Sequence, residues 1–256
     1  MRIMTFNTQH CLNYLEQKID FDVMARAIKE CGADVVGLNE MRDAGTFEGY
    51  TAQTEALSQK TGLRHFFFAK AIDFLPEGGA PYGNGLLSAL PILNAQAVPI
   101  PDPDPKTGND YYETRCLLKA TLQGGLTVLV THFGLNLDEQ QSAVDTVLKH
   151  ITPEKCVLMG DFNVRPESPL LAPIRARMKD TAAAFSSPRL SFPSDAPDRK
   201  IDYIFVSPDI EVVSADIPAI VASDHRPHTA EIVFLSTEIF EGTSKNSPSI
   251  AINIKI

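Results

Sequence analysis

The chain contains no apolar run long enough to cross a bilayer, which takes about 20 residues in a helix. Its start, MRIMTFNTQH, lacks the basic region and the apolar stretch of a signal peptide. A cytoplasmic location is the expectation from both absences. There is no CxxC pair: Cys11, Cys31, Cys116 and Cys156 stand far apart, which argues against a zinc knuckle or a dithiol redox motif and predicts buried free thiols. There is no basic stripe either, and the formal net charge is −9. Proteins that grip long nucleic acid draw most of that affinity from phosphate neutralisation by Lys and Arg. The charge therefore weighs against such a partner, although a bound divalent cation would offset part of it locally. No internal repeat and no linker divides the chain. Residues 1–240 read as a single catalytic domain and 241–256 as a tail to which no role is given.

What is present is a large potential core, with 44% hydrophobic residues among 256. Short apolar runs alternate with helical patterns. Arg2 to Asn7, Asp34 to Asn39, Leu86 to Ser88 after a glycine-rich turn, Lys155 to Met159, Ile201 to Val206 and Glu231 to Leu235 read as strands, the last expected to close the sheet. Cys116 to Leu122 and Leu126 to Thr131 straddle Gly124-Gly125, a hairpin signal. Asp22 to Cys31 and Leu137 to His150 read as helices, the first stopped by Gly32. The tract HFFFA, His65 to Ala69, reads as a buried strand. Pro99 to Asn109 and Ser186 to Arg199 are rich in proline and polar residues and read as loops, either over a substrate cleft or across plain surface.

Chemistry-bearing side chains recur where the strands end. Asn7 ends the first strand, Glu40 follows DVVGLN, His132 follows TVLVT, Asp161 and Asn163 follow VLMG, and Asp224-His225 precede the last strand. One such residue is commonly a turn or a cap; seven together are the set that phosphate-ester hydrolysis needs. Oxygen ligands hold a hard cation against the phosphoryl charge, and a carboxylate or imidazole handles the proton of the attacking water. In GDFN, the two-residue spacing of Asp161 and Asn163 directs both side chains to one face of an extended segment. Asp202, charged within the apolar KIDYIF, needs a partner, and a catalytic histidine needs an orienting carboxylate; His225 supplies that match.

The segments MTFN, DVVGLNE, YGNGLLSALP, VTHFG, MGDFN, KIDYIFVS and SDHRP, in this order, resemble the endonuclease/exonuclease/phosphatase superfamily over nearly the whole chain. The resemblance implies a DNase I-like, four-layer α/β sandwich: two packed mixed sheets with helices outside. It implies magnesium, or manganese, held by Glu40 with Asn7 and Asp224; Asp161 and Asn163 as the water-activating and phosphate-orienting pair; and His225, paired with Asp202, as the principal catalytic histidine. His132 resembles the second histidine of the DNase I, sphingomyelinase and 5-phosphatase branches, which argues against the repair-nuclease branch. Two departures stand out: Gln9 replaces an acidic residue of repair-type members, and Ala89 a basic one after GNGLLS.

Tyr82, Asn84 and Arg115 are weaker candidates for substrate contact, while His10, His65, His150 and His228 read as surface or core residues. The expected activity is hydrolysis of a phosphate mono- or diester, with a small or lipid-derived substrate favoured. A DNase-type nuclease is the alternative, and a catalytically dead binding module is the reading of another class.

Overall fold

The computed structural model describes residues 1–76 and 78–235; the tail expected over 241–256 and the last residues of the expected domain lie outside them. In chain order the elements are β1 (Arg2–Asn7), β2 (Leu12–Asn13), β3 (Lys18–Ile19), α1 (Phe21–Cys31), β4 (Val35–Arg42), α2 (Gln53–Thr61), β5 (His65–Asp73), β6 (Pro81–Ser88), β7 (Ile92–Pro99), β8 (Cys116–Leu122) and β9 (Thr127–His132). They continue with α3 (Leu137–His150), β10 (Cys156–Asp161), α4 (Ala172–Arg175), β11 (Lys179–Asp180), β12 (Asp202–Val206), β13 (Ile210–Asp216) and β14 (His228–Phe234). No helix among the described residues is long and apolar enough to cross a membrane.

Two six-stranded sheets carry the fold, ordered β13-β14-β1-β4-β6-β5 and β11-β12-β10-β9-β8-β7. Each has one parallel pair at its centre, β1 with β4 and β9 with β10, and antiparallel neighbours elsewhere. A parallel pair needs a crossover, and α1 and α3 supply the two. Helix α1 starts where the Asp20 carboxylate accepts the amides of Asp22 and Val23, and stops at Gly32 in the left-handed region. Helix α3 starts where the Glu139 carboxylate accepts the Asn136 amide at 3.1 Å.

Three apolar clusters make four layers. Ile3, Val35, Val128, Val130, Val157, Met159, Ile204 and Val206 pack between the sheets. Met24, Ile28 and Leu57 of α1 and α2 cover Met4, Phe6, Val36 and Leu38 on the outer face of the first sheet. Val144 and Val147 of α3 and Ile174 of α4 cover Leu129, Leu158, Tyr203 and Phe205 on the second. This is the expected four-layer α/β sandwich. Gly37 lets the sheets approach, since a Cβ there would lie 2.7 Å from Met159 Sδ.

Successive side chains of a strand alternate between faces, and that period decides where the site forms. The inner face reads Ile3, Thr5, Asn7 on β1; Val128, Val130, His132 on β9; Val157, Met159, Asp161 on β10; and, running the other way, Val206, Ile204, Asp202 on β12. Every inner row changes from apolar to polar at the same end of the sandwich. The registers bring these ends side by side: Asn7 beside Asn39, His132 beside Asp161, and Asp161 beside Asp202.

Three expectations are corrected. The HFFFA tract is a strand, but β5 is a sheet edge and Phe66 is 43% exposed. Strand β6 begins at Pro81, so the glycine-rich turn expected before Leu86 is itself extended chain: Gly83 and Gly85 are ladder residues, and a Cβ on Gly83 would lie 2.0 Å from the Ala69 carbonyl oxygen. Strand β14 is interior, with β13 outside it as the edge. The four cysteines are free and buried, as expected.

Candidate active site

The polar ends of the inner rows meet in a cleft of about 530 Å³ lined by Glu40, Tyr82, Arg115, His132, Asp161, Asn163, Asp224 and His225, among others. Asp161 is its hub and is almost fully buried. Its Oδ2 accepts a hydrogen bond from Asn7 Nδ2 at 3.1 Å and lies 3.5 Å from His225 Nε2 and 3.6 Å from His132 Nε2. Its Oδ1 accepts the Asn163 amide at 2.9 Å. Asn7 Nδ2 also donates to Glu40 Oε1 at 3.0 Å, which ties the first sheet to the second.

Two backbone features aim these groups. Glu40 has φ +62°, and the β4–β6 register slips between Leu38 and Met41. The bulge breaks the strand's alternation at Glu40, whose side chain lines the cleft rather than the core. Asn163 has φ +51°, a region Asn tolerates better than most side chains. Its Nδ2 donates to the Phe133 carbonyl at 2.9 Å and stands 3.3 Å from His132 Nε2.

The two histidines are prepared differently. His225 Nδ1 faces Asp202 Oδ2 at 2.9 Å. Burial alone would lower its pKa, but the carboxylates of Asp202 and Asp161 overcome that and push it up to about 10. His132 Nδ1 faces Arg115 Nη1 at 3.0 Å. A guanidinium has no acceptor, so Nδ1 must accept and a neutral ring carries its hydrogen on Nε2, toward the cleft. Burial, with the charges of Arg115 and His225, holds His132 well below the usual histidine range. Arg115 is itself anchored by an ion pair with Glu113. Burial also raises the Asp161 carboxyl, with Asp202 adding to the push and His225 opposing it.

The expected residues Asn7, Glu40, His132, Asp161, Asn163, Asp202, Asp224 and His225 therefore gather at one mouth. Tyr82 lines the cleft beside Glu40; burial and that carboxylate hold its phenol well above its ordinary value. Asn84 is a correction: it is buried, with Nδ2 on the Cys116 carbonyl at 2.9 Å and Oδ1 accepting from Asn39, so it braces the sheets from behind. Arg115 stands against His132 and Glu113 as a support, not as an open fork. His228 is buried against Thr181 and the Asp202 carbonyl. Of the loops, Ser186 to Arg199 does reach the cleft, through Phe192 and Arg199. Pro99 to Asn109 does not line it; Tyr111 and Glu113 beyond it do.

Sequence reasoning missed Asn39. Its Oδ1 accepts the Asp161 amide at 3.0 Å, and its Nδ2 donates to the Thr131 carbonyl at 2.9 Å. Its inner-face phase with Val35 was the available signal. Ser191 and Ser194 were also missed: the Ser191 hydroxyl accepts the Ile201 amide at 3.2 Å, and the Ser194 amide donates to the Asp224 carbonyl at 2.7 Å. These bonds join the two segments that carry Asp202 and His225.

A family model described as the Endonuclease/Exonuclease/phosphatase family matches residues 4–225. The chain belongs to that family. Members of the endonuclease/exonuclease/phosphatase family are phosphoester hydrolases, and the fold is the DNase I-like one. The crystal structure of endonuclease/exonuclease/phosphatase from Beutenbergia cavernae DSM 12333 superposes with a TM-score of 0.73 at 25% identity, covering 91% of this chain and 71% of that one. Bacteroides thetaiotaomicron VPI-5482 mannosyl-6-phosphatase Bt3783 gives a TM-score of 0.72 at 16% identity, covering 91% and 100%. Humanised D. rerio TDP2 gives 0.60 at 18% identity, covering 91% and 98%. No curated protein sequence matches the chain.

The site's donor set suits a hard cation. Its ligands are oxygens, and they outnumber the local donors: Asp202 Oδ1 is buried without a hydrogen-bond partner, and Asp224 is pushed up by burial and by Glu40. Asp161, Asp202 and His225 also offer ligand atoms within 4.8 Å of one another. The facing atoms of His225 and Asp202 are already joined by a hydrogen bond, which suits that pair to proton handling.

Proposed function

We propose that this protein is a divalent-cation-dependent phosphoesterase that cleaves a phosphate ester of a small or lipid-derived substrate with water. The observation that carries the reading is the convergence of Asp161, His225, His132 and Asn163 around one point of the cleft, with Glu40 and Asn7 adjoining it. Glu40 and Asp224 would hold magnesium, or manganese, which suits the same oxygens, and Asn7 would join them through Oδ1, since its Nδ2 donates to Glu40 and Asp161. When bound, the cation supplies positive charge against the phosphoryl oxygens and the leaving oxygen.

The protein's own groups supply the rest. Asp161, raised by burial, accepts the proton of the attacking water. His225, kept protonated by its two carboxylate neighbours, donates to a phosphoryl oxygen from Nε2. His132 donates from its Nε2–H as a neutral ring, and Asn163 orients an oxygen through its amide. Asn7 holds the two carboxylates Glu40 and Asp161 at a fixed separation. A small substrate is favoured by the net charge of −9.

The test is a hydrolysis screen with magnesium or with chelator, using an aryl phosphate, a bis-aryl phosphodiester, inositol phosphates and plasmid DNA. Cation-dependent turnover of a small ester is expected. Glu40→Ala, Asp161→Ala and His225→Ala should each lose about 10²-fold or more in kcat/KM with unchanged circular dichroism. Full turnover by any of these folded variants overturns its assignment. Efficient cleavage of plasmid DNA alone would select the nuclease instead.

A further inference from the structure

Beyond the catalytic mouth the cleft has two walls of contrasting chemistry that the hydrolysis itself does not use. The first is cationic. Arg165 follows Asn163 by two residues, Arg199 precedes Asp202 by three, and both line the cleft. Asp198 fixes them together: its carbonyl accepts Arg165 Nη1 at 3.2 Å, and its carboxylate accepts Arg199 Nε and Nη2 at 2.6 and 3.0 Å. The Arg199 guanidinium stands 5.4 Å from the centre of the Phe192 ring, and that ring packs on His225 at 4.7 Å. One aromatic ring therefore separates the arginine cluster from the catalytic imidazole. The Asp198 carboxylate is engaged by Arg199. Arg165 Nε and Nη2 have no hydrogen-bond partner among the described residues, so its fork is available for an anion.

The second wall is apolar. Tyr111 and Leu135 line the same cleft yet remain 70% and 49% exposed. They rise beside β8 and β9, whereas the arginines rise beside β10 and β12, so the walls stand on opposite halves of the second sheet. Unlike the other exposed large apolar side chains among the described residues, these two line the cleft, where a bound ligand can cover them.

We propose that these walls form a leaving-group subsite. The substrate is a phosphate ester whose leaving group turns an apolar face to Tyr111 and Leu135 and presents a second anion, phosphate or carboxylate, to Arg165. A planar guanidinium fork matches both anions. The proposal rests on the hydrolase reading above and adds the substrate class.

The test compares kcat/KM for phenyl phosphate, 4-carboxyphenyl phosphate and benzene-1,4-diyl bisphosphate, with magnesium. The wild type is expected to prefer an anionic leaving group by about tenfold, the effect of one charge-assisted hydrogen bond. The arm it prefers identifies the anion. In Arg165→Ala that preference ratio should fall to near one, and in Arg165→Lys, which keeps charge but not the fork, it should fall part of the way. Turnover of all three esters with no preference, or a preference that survives Arg165→Ala, overturns the subsite and leaves the hydrolase reading standing. No turnover of any of the three overturns the subsite, and the hydrolase reading falls with it only if the bis-aryl phosphodiester and the inositol phosphates are left intact as well.

Discussion

Replacing Asp202 by Asn isolates the charge that holds the proton on His225. The side chain keeps its shape, so the inner-face position beside Asp161 is retained, while the ion pair across 2.9 Å is lost. Two unit charges about 4 Å apart interact by roughly 4 kcal/mol at an effective dielectric near 20. One pKa unit corresponds to about 1.4 kcal/mol, so the substitution should lower His225 by about three units. From about 10 in the wild type, it should titrate near 7. The sign follows from the role proposed for His225: if the imidazolium donates to the phosphoryl oxygen, activity is lost as pH rises through its pKa. At pH 6 most of the variant's His225 still carries its proton and the defect should be modest. At pH 8 roughly a tenth does, so kcat/KM should fall by about a further tenfold relative to wild type. NMR titration of the imidazole in the presence of chelator reads the shift directly, and steady-state kinetics at pH 6 and pH 8 read its consequence. A defect of equal size at both pH values, with His225 still titrating near 10, would refute the argument and reduce Asp202 to a positioning group.

Two further predictions concern the scaffold behind the site. Gly160 of GDFN has φ +147°, and a Cβ there would lie 1.8 Å from the Thr131 carbonyl oxygen, a backbone atom that cannot step aside. Gly160→Ala should therefore cost about 3 kcal/mol or more, read by urea unfolding; a loss below 1 kcal/mol would contradict the geometry. Lys200 is buried, donates to the Asp202 carbonyl at 3.0 Å and lies over the Tyr203 ring. Burial lowers it to about 7, so the folded state binds fewer protons than the unfolded chain from there to the ordinary lysine value. Its contribution to stability accordingly rises with pH across that window, by at most about 1.4 kcal/mol per unit. His225, raised in the folded state, acts in the opposite direction over part of the same range. The readout is therefore the difference between Lys200→Met and wild type at pH 7 and pH 9; no change in that difference would show that Lys200 keeps its charge.

Much of the fold was legible because its signals were local and periodic. Helix α3 runs over Leu137–His150, as its spacing predicts. Strands β1, β8, β9 and β10 are buried along their length, and apolar runs announce them. The elements that escaped are those whose stability is not local. Helix α2 has no side-chain cap on its first turn and a polar sequence, and is held by packing Leu57 beneath it. Strand β7 is a sheet edge with only scattered burial, and β13 is another with a bulge between Val212 and Ser214. Edge strands bury one face at most, so their apolar period is weak. The glycines of β6 misled in the same way: Gly83 suits a turn by propensity, but its position is decided by the approach of the neighbouring strand.

The site was legible for a different reason. Residues far apart in sequence meet because each sits at the same phase of the same period, at the point where an inner row turns polar. Sequence supplied Asn7, His132, Asp161 and Asp202 one strand at a time, and only the registers show that they are neighbours. What sequence could not supply is how each group is tuned. The pairing of Asp202 with His225 was legible, but Arg115 gives no sign of facing His132; the first keeps its histidine charged and the second keeps its histidine neutral. A carboxylate and a guanidinium on equivalent ring nitrogens thus divide the work between two residues of identical chemistry. The proton-bearing roles in this cleft are set by those partners rather than by the histidines themselves.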